Sequence, residues 1–242
     1  MKTRKQKNTG NSSENRHYSQ PSALLRATKN GTKKTLTAKS FLFKALATII
    51  ILSGSVNVSS AQFHWGVKLG ANASTQSKAG NIYDNDGLKA GFNAGVIALY
   101  QMNDWFAFKS GLNYELKGRK YDSPDASGQI TENFNYLVLP LKPEFSAGKK
   151  AGLKKGQRLF FATGPYAGYL LNAEQKIGDS TKKMESMNDV DFGWSFELGY
   201  KISAGRSNAL RFSLNYDMGI TDVSDENAIQ NKTLSLNCGY LF

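Results

Sequence analysis

The run Val190-Asp191-Phe192-Gly193-Trp194-Ser195-Phe196-Glu197-Leu198-Gly199-Tyr200-Lys201-Ile202 decides how this chain is read. Every second residue is bulky and apolar, and the residues between them are acidic, basic, small or hydroxylated. A period of two is the signature of a strand whose faces meet different surroundings, whereas a helix would repeat its apolar positions every three to four residues.

The same alternation continues on both sides of this run. Downstream, Leu210, Phe212, Leu214, Tyr216 and Met218 oppose Arg211, Ser213, Asn215, Asp217 and Gly219, and Leu234, Leu236, Cys238, Tyr240 and Phe242 oppose Thr233, Ser235, Asn237 and Gly239. Upstream, Phe63, Trp65, Val67, Leu69 and Ala71 oppose His64, Gly66, Lys68, Gly70 and Asn72. Two further segments follow, with Leu88 to Tyr100 set against Lys89, Gly91, Asn93 and Gly95, and Phe106 to Leu116 set against Lys109, Gly111, Asn113, Glu115 and Lys117. A fifth, Leu159 to Leu171, carries Phe161, Pro165, Ala167 and Tyr169 against Gly164, Tyr166 and Gly168. Between these lies Phe134 to Phe145, where Leu137, Leu139 and Leu141 share a face but Pro140 and Pro143 interrupt the pattern. Proline removes a ladder donor and marks a bulge or a strand edge.

This makes eight strands, the even number that brings both ends of a bacterial outer-membrane barrel to the periplasmic side. The connections alternate in length in step with that topology. Ser74 to Gly87, Lys117 to Thr131, Asn172 to Asp189 and Thr221 to Asn231 are long and polar, whereas Gln101 to Asp104 and Ala204 to Asn208 are short, and Ala147 to Gln157 is intermediate. The expected fold is an all-β, eight-stranded, antiparallel up-and-down transmembrane barrel over residues 62–242.

A soluble barrel alternates too, so the choice rests on which face is enclosed. An eight-stranded interior is just wide enough for side chains to fill, and the Phe, Trp, Tyr and Leu of the apolar phase would not all fit. The polar phase is crowded with Gly66, Gly70, Gly91, Gly95, Gly111, Gly164, Gly168, Gly193, Gly199, Gly219 and Gly239, which suit a narrow lumen. In the well-alternating segments the apolar phase holds no charge, and a lysine or arginine facing lipid at mid-bilayer costs about 2–4 kcal/mol. Phe63, Trp65, Phe92, Phe108, Phe192, Trp194, Phe196 and Phe212 are therefore expected to face lipid. Aromatics near the strand ends fit girdles at the two membrane interfaces.

The net charge of +12 points to a nucleic-acid or membrane-surface binder until its location is considered. Residues 1–61 hold 11 of the 31 basic residues and a single acid, Glu14, so residues 62–242 carry 20 basic against 18 acidic groups and are close to neutral. No nucleic-acid partner is expected for the domain. Residues 41–61 read as a signal peptide, with an apolar run from Ala45 to Leu52 and Ser59-Ser60-Ala61 placing cleavage after Ala61. That run falls short of the roughly 20 apolar residues a spanning helix needs. Residues 1–40 are polar, basic and aperiodic, which reads as a disordered extension or an over-called start. Cys238 is the only cysteine, so an intramolecular disulfide is excluded.

These residues resemble the PorT-like outer-membrane β-barrel domain proteins. The resemblance spans Gln62 to Phe242 and rests on Gly66-Val67-Lys68-Leu69-Gly70, Asn135-Tyr136-Leu137-Val138-Leu139-Pro140-Leu141, Gly164-Pro165-Tyr166-Ala167-Gly168-Tyr169 and the terminal Phe242. It implies that the last strand, with Tyr240 and Phe242, is the signal read by the barrel-assembly machinery, and that a secretion or envelope complex is a candidate partner. Where the family often carries an acid in the fourth strand, this chain has Val138. The resemblance speaks to location and fold more than to activity.

The polar phase assigns Lys68, Lys89, Lys109, Glu115, Lys117, Asp191, Glu197, Lys201, Arg211 and Asp217 to the lumen. Unpaired charge in a narrow enclosure is costly, so an ion-pair network that plugs the barrel is expected, with a polar conduit for small solutes as the alternative. His64 is the one histidine after residue 61, and no serine or acid can be paired with it from sequence, so no catalytic residue is assigned. A barrel hydrolase ranks below both readings. Asp84, Asp86, Asp222, Asp225 and Glu226 are oxygen donors in outer loops, read as solvated loop charges. No glycine loop lies in a strand–turn–helix context, and no cofactor or metal is expected.

Overall fold

The computed structural model describes residues 62–77, 87–122, 128–184, 187–205, 208–224 and 229–242. The signal peptide, its basic extension and the loop acids Asp84, Asp86, Asp225 and Glu226 lie outside the described residues. Among these residues are the strands β1 (Gln62–Ser77), β2 (Lys89–Gln101), β3 (Phe106–Asp122), β4 (Gln129–Ala147), β5 (Gln157–Ile177), β6 (Ser180–Lys183), β7 (Val190–Ser203), β8 (Ala209–Gly219) and β9 (Gln230–Leu241). All pairings between them are antiparallel, and the sheet closes as β1-β2-β3-β4-β5-β7-β8-β9 with β9 returning to β1. The short strand β6 pairs only with the outer end of β5. Closure leaves no open edge around the eight-stranded body, the condition for β-structure in lipid.

Strands longer than expected rise at the loop end. Lys117 to Thr131 and Asn172 to Asp189 read as loops because both faces are polar there, yet most of these residues pair. Lys117 to Asp122 zip onto Phe134 to Gln129 in unbroken register, and Glu174 to Ile177 pair with Lys183 to Ser180. A strand crosses a bilayer in about 9–11 residues, so β4 with 19 residues and β5 with 21 extend well past that thickness. Polarity on both faces is what a hairpin standing in water requires.

The proline-rich strand β4 is a full barrel member. Its pairing with β3 is interrupted only at Leu139 and Pro140, where the donor is missing, and resumes in the same register. Against β5 it has one irregularity, between Asn135 and Tyr136, where Leu171 is left without a partner. That extra residue swaps the lumen-facing parity of β5 from even (Tyr166, Leu170) to odd (Ala173).

Candidate functional site

The enclosed lumen concentrates the buried chemistry of this molecule and is filled in layers. At the turn end, Ile97, Leu99, Ala107, Ala209 and Leu241 form an apolar floor. Above it, Arg211 grips Glu144 with two parallel bonds of 2.9 and 2.5 Å, and its guanidinium lies 3.8 Å from the centre of the Phe160 ring. Bidentate, charge-assisted bonding of this kind is the strong form of the interaction.

The middle layer is organised by Glu197 on β7. Lys109 on β3 donates to both its carboxylate oxygens at 2.5 and 2.6 Å, and Lys142 on β4 donates to one at 2.8 Å. Lys142 also donates to Ser195 Oγ at 3.0 Å and Asn215 Oδ1 at 2.7 Å, using all three of its N–H directions. Asp217 needs no cation, because Ser195 Oγ and Asn215 Nδ2 donate to it. The cavity remaining in this layer is about 20 Å³, space for no more than about one or two waters.

Asp191 organises the next layer. Lys117 approaches it at 3.5 Å, the Tyr166 hydroxyl donates to it at 3.3 Å and Asn231 Nδ2 at 3.1 Å. Lys117 also lies 3.5 Å from Glu115 and over the rings of Tyr136 and Tyr166, at 5.4 and 4.8 Å. The loop end is closed by Phe134, Tyr136, Val138, Tyr166, Leu170, Ala173 and Val223, with Met184 and Met187 packed against them. Val138 thus sits in an apolar cluster. In the hairpin beyond, Arg119 pairs with Glu132 at 2.8 Å and Tyr121 donates to the same carboxylate.

Of the ten charged residues assigned to the lumen by sequence, six make ion pairs within 4 Å: Lys109, Glu115, Lys117, Asp191, Glu197 and Arg211. Lys68, Lys89, Lys201 and Asp217 make no ion pair among the described residues, which corrects the expectation of a network spanning all ten. The reason is distribution. The lumen faces of β1, β2 and β9 carry no acid, so Lys68 and Lys89 have none on the strands paired to β1, and Lys68 lines the central cavity with Glu115 and Asp217 without reaching either within 4 Å. Sequence reasoning missed Arg119, Glu132, Lys142 and Glu144. Lys142 and Glu144 had a signal, since they alternate with Leu141, Pro143 and Phe145 on β4.

The lumen also holds large rings, Phe134, Tyr136, Phe160 and Tyr166, each at most 3% exposed. Several glycines exist to admit them. A Cβ on Gly193 would lie 2.5 Å from Tyr166 Cε1, so the ring rests against bare backbone.

The outer surface is the reverse of a soluble protein's. Phe63, Trp65, Phe92, Phe108, Phe192, Trp194, Phe196 and Phe212 are between 39% and 64% exposed, alongside Leu69, Val96, Leu198, Leu214 and Leu236. Soluble monomers rarely expose contiguous apolar surface on this scale. At the turn end the aromatics cluster: Trp65 and Tyr240 lie 4.4 and 5.1 Å from Phe242, and Trp105, Phe106, Phe108 and Phe145 form a second group. Such groups are the girdles of a membrane interface. His64 lines the turn-end mouth, and Asp222 lies by the β8–β9 connection, where its carbonyl accepts from Asn188.

Solved structures similar to this fold include Neisserial surface protein A, with a TM-score of 0.49 at 14% identity over 76% of this chain and 98% of that one. The outer membrane protein OprG from Pseudomonas aeruginosa gives 0.48 at 11% identity over 74% and 95%, and Ail of Yersinia pestis 0.41 at 15% identity over 75% and 99%. No curated protein matches the sequence significantly. Residues 55–225 match the model of the outer membrane protein beta-barrel domain; the chain belongs to that family, and its place is the bacterial outer membrane.

Proposed function

We propose that this barrel is not an enzyme and works as a structural, assembly or interaction component of the cell envelope, acting through its outer hairpins and rim. The observation that carries this reading is the packed lumen, whose central layer leaves about 20 Å³ of space. A core of buried ion pairs and rings offers no path for a solute, so the surfaces left to act are those beyond the lipid. Among the described residues the raised hairpins of β3, β4, β5 and β6 are the most extended of these, with Lys120, Lys176, Lys182 and Lys183 on them.

The finer kinship is with the PorT-like proteins, which makes a secretion or envelope complex the partner class. The assembly machinery is the partner during biogenesis, reading Tyr240 and Phe242. Residues 41–61 are the export signal, cut after Ala61, and residues 1–40 are a basic extension or an over-called start.

Planar-bilayer recording of the purified, refolded protein tests the reading. The expected result is no steady unitary current. Reproducible single-channel steps would replace it with the small-solute conduit.

A further inference from the structure

The mouth of the barrel at its turn end holds a pocket of about 190 Å³ that none of the lumen chemistry above employs. Its floor is Leu99, Ala209 and Leu241, and its polar lining is His64, Gln101, Asp104, Arg158, Lys201, Ser203 and Asn208, three cationic or ionisable donors against one acid. The charges here are arranged against ordinary strand pairing. Lys201 is the cross-strand partner of Arg158 on one side and of Arg211 on the other, a row of three cations on adjacent strands. Like charges directly opposite destabilise a sheet. Glu144 is the acid acting on Lys201, and both of its oxygens are already taken by Arg211.

At the rim Arg158 donates to the Asp104 carbonyl and lies 3.9 Å from the Asp104 carboxylate, the one acid of the lining, which is fully exposed to solvent. Lys201 Nζ has no hydrogen-bond or ion-pair partner among the described residues. An unpaired ammonium beside two other cations, at the rim of an open pocket lined with further donors, is a place where an anion lowers the free energy. The approach is also positive. The β4–β5 turn presents the exposed Lys149, Lys150, Lys154 and Lys155 at the same end, with no acid in the turn, a distribution that draws anions toward the mouth.

We propose that this pocket is an oxyanion site that takes a phosphate group, held by Lys201 with His64, Ser203 and Asn208 as further donors and Arg158 as a flanking charge. Donors arrive from β1, β7 and the β7–β8 turn, from more directions than the two oxygens of a carboxylate can use. The source of the phosphate is either the free ion in the periplasm or the headgroup of a phospholipid in the inner leaflet.

The test uses full-length mature protein refolded in zwitterionic nanodiscs and titrated with inorganic phosphate. Backbone NMR shifts around Lys201 and Ser203 and the urea midpoint are followed together. The expected result is saturable binding with a rise in midpoint, since a ligand specific to the folded state stabilises it. In Lys201→Gln, binding weakens at least about tenfold, in keeping with one lost charge-assisted bond, and phosphate no longer raises the midpoint. This variant removes a like-charge neighbour, so it folds. A Lys182→Gln control at the opposite end leaves binding unchanged.

Adding anionic phosphatidylglycerol to the nanodisc separates the sources. Competition with inorganic phosphate assigns the site to the headgroup, and undiminished affinity assigns it to the free ion. Shifts that rise linearly without saturation, or binding that survives Lys201→Gln, would overturn the proposal.

Discussion

Replacing Glu197 by glutamine tests the physical account of the lumen most directly. The change keeps the size of the side chain and removes one charge, leaving the ammonium groups of Lys109 and Lys142 facing an amide in a layer where all three residues are at most 7% exposed. Breaking a buried ion pair from one side costs about 3–5 kcal/mol, because the remaining charge is left uncompensated. Two stranded lysines place Glu197→Gln toward the upper end, a large fraction of the roughly 5–15 kcal/mol that holds a typical domain together.

With a urea slope of about 1–3 kcal/mol per molar, the unfolding midpoint falls by at least about 1 M. Tryptophan fluorescence is a suitable probe, since Trp65, Trp105 and Trp194 all lie on the outer surface and lose lipid contact on unfolding. The comparison that isolates charge from shape is Lys109→Met, Lys142→Met and Glu197→Leu together. Well-packed apolar replacement of a buried ionic cluster is often neutral or stabilising, and the Ser195 hydroxyl and the Asn215 amide keep donating to Asp217. This triple variant is expected to unfold close to wild type. A midpoint for Glu197→Gln within experimental error of wild type would refute the reasoning, because it would mean that the lysines are already solvated.

Gly193→Val drives side-chain atoms into the Met218 carbonyl and the Tyr166 ring and is expected to destabilise by at least about 1–3 kcal/mol, as overpacking does, with only the part due to the ring recovered in a Gly193→Val, Tyr166→Leu double variant in the same urea assay. Trp194→Arg places a cation on the lipid face and is expected to lose about 2–4 kcal/mol in vesicles. Deleting Phe242 removes the ring against Trp65 and the bond from its amide to the Trp65 carbonyl. It is expected to reduce the amount of folded barrel recovered from cell envelopes far more than it lowers the stability of barrel refolded in vitro, which would place its effect in assembly.

The strands that read clearly in the sequence are those whose two faces differ most. In β7 and β8 every inward residue is polar or small and every outward one apolar, so the contrast that defines the fold is written in the residues. The contrast fades in β4 because Phe134, Tyr136 and Val138 face inward while Leu137 and Leu139 face outward, leaving a nearly continuous apolar run. Lys142 and Glu144 were hidden behind that run and the two prolines. Arg119 and Glu132 were hidden for the opposite reason, since polar side chains stand on both faces of the raised hairpin. Nor does period two reveal which charges meet. Partners of Glu197 come from strands 88 and 55 residues earlier in the chain, a fact of closure and shear that local pattern does not encode.

The distribution of bulk across the lumen explains why a barrel this narrow accepts such large residues. Strands β4 and β5 send in Phe134, Tyr136, Lys142, Glu144, Phe160 and Tyr166, while β1, β2 and β9 answer with Gly66, Gly70, Gly95 and Gly239 and with short side chains such as Asn72, Asn93 and Ser235. Large faces small, as filling an eight-stranded interior demands. The same arrangement fixes register. Asp191 is reached from β3 and β9 as well as from the adjacent β5, and Glu197 from β3 and β4, so each acid ties β7 to strands that are not its neighbours. A slip of one residue along any of these strands would turn its acid or lysine toward lipid. An apolar cluster of equal volume would stabilise the correct register about as well, but it would penalise the slipped ones far less, so the ionic layers set which barrel forms more than how deeply it is folded.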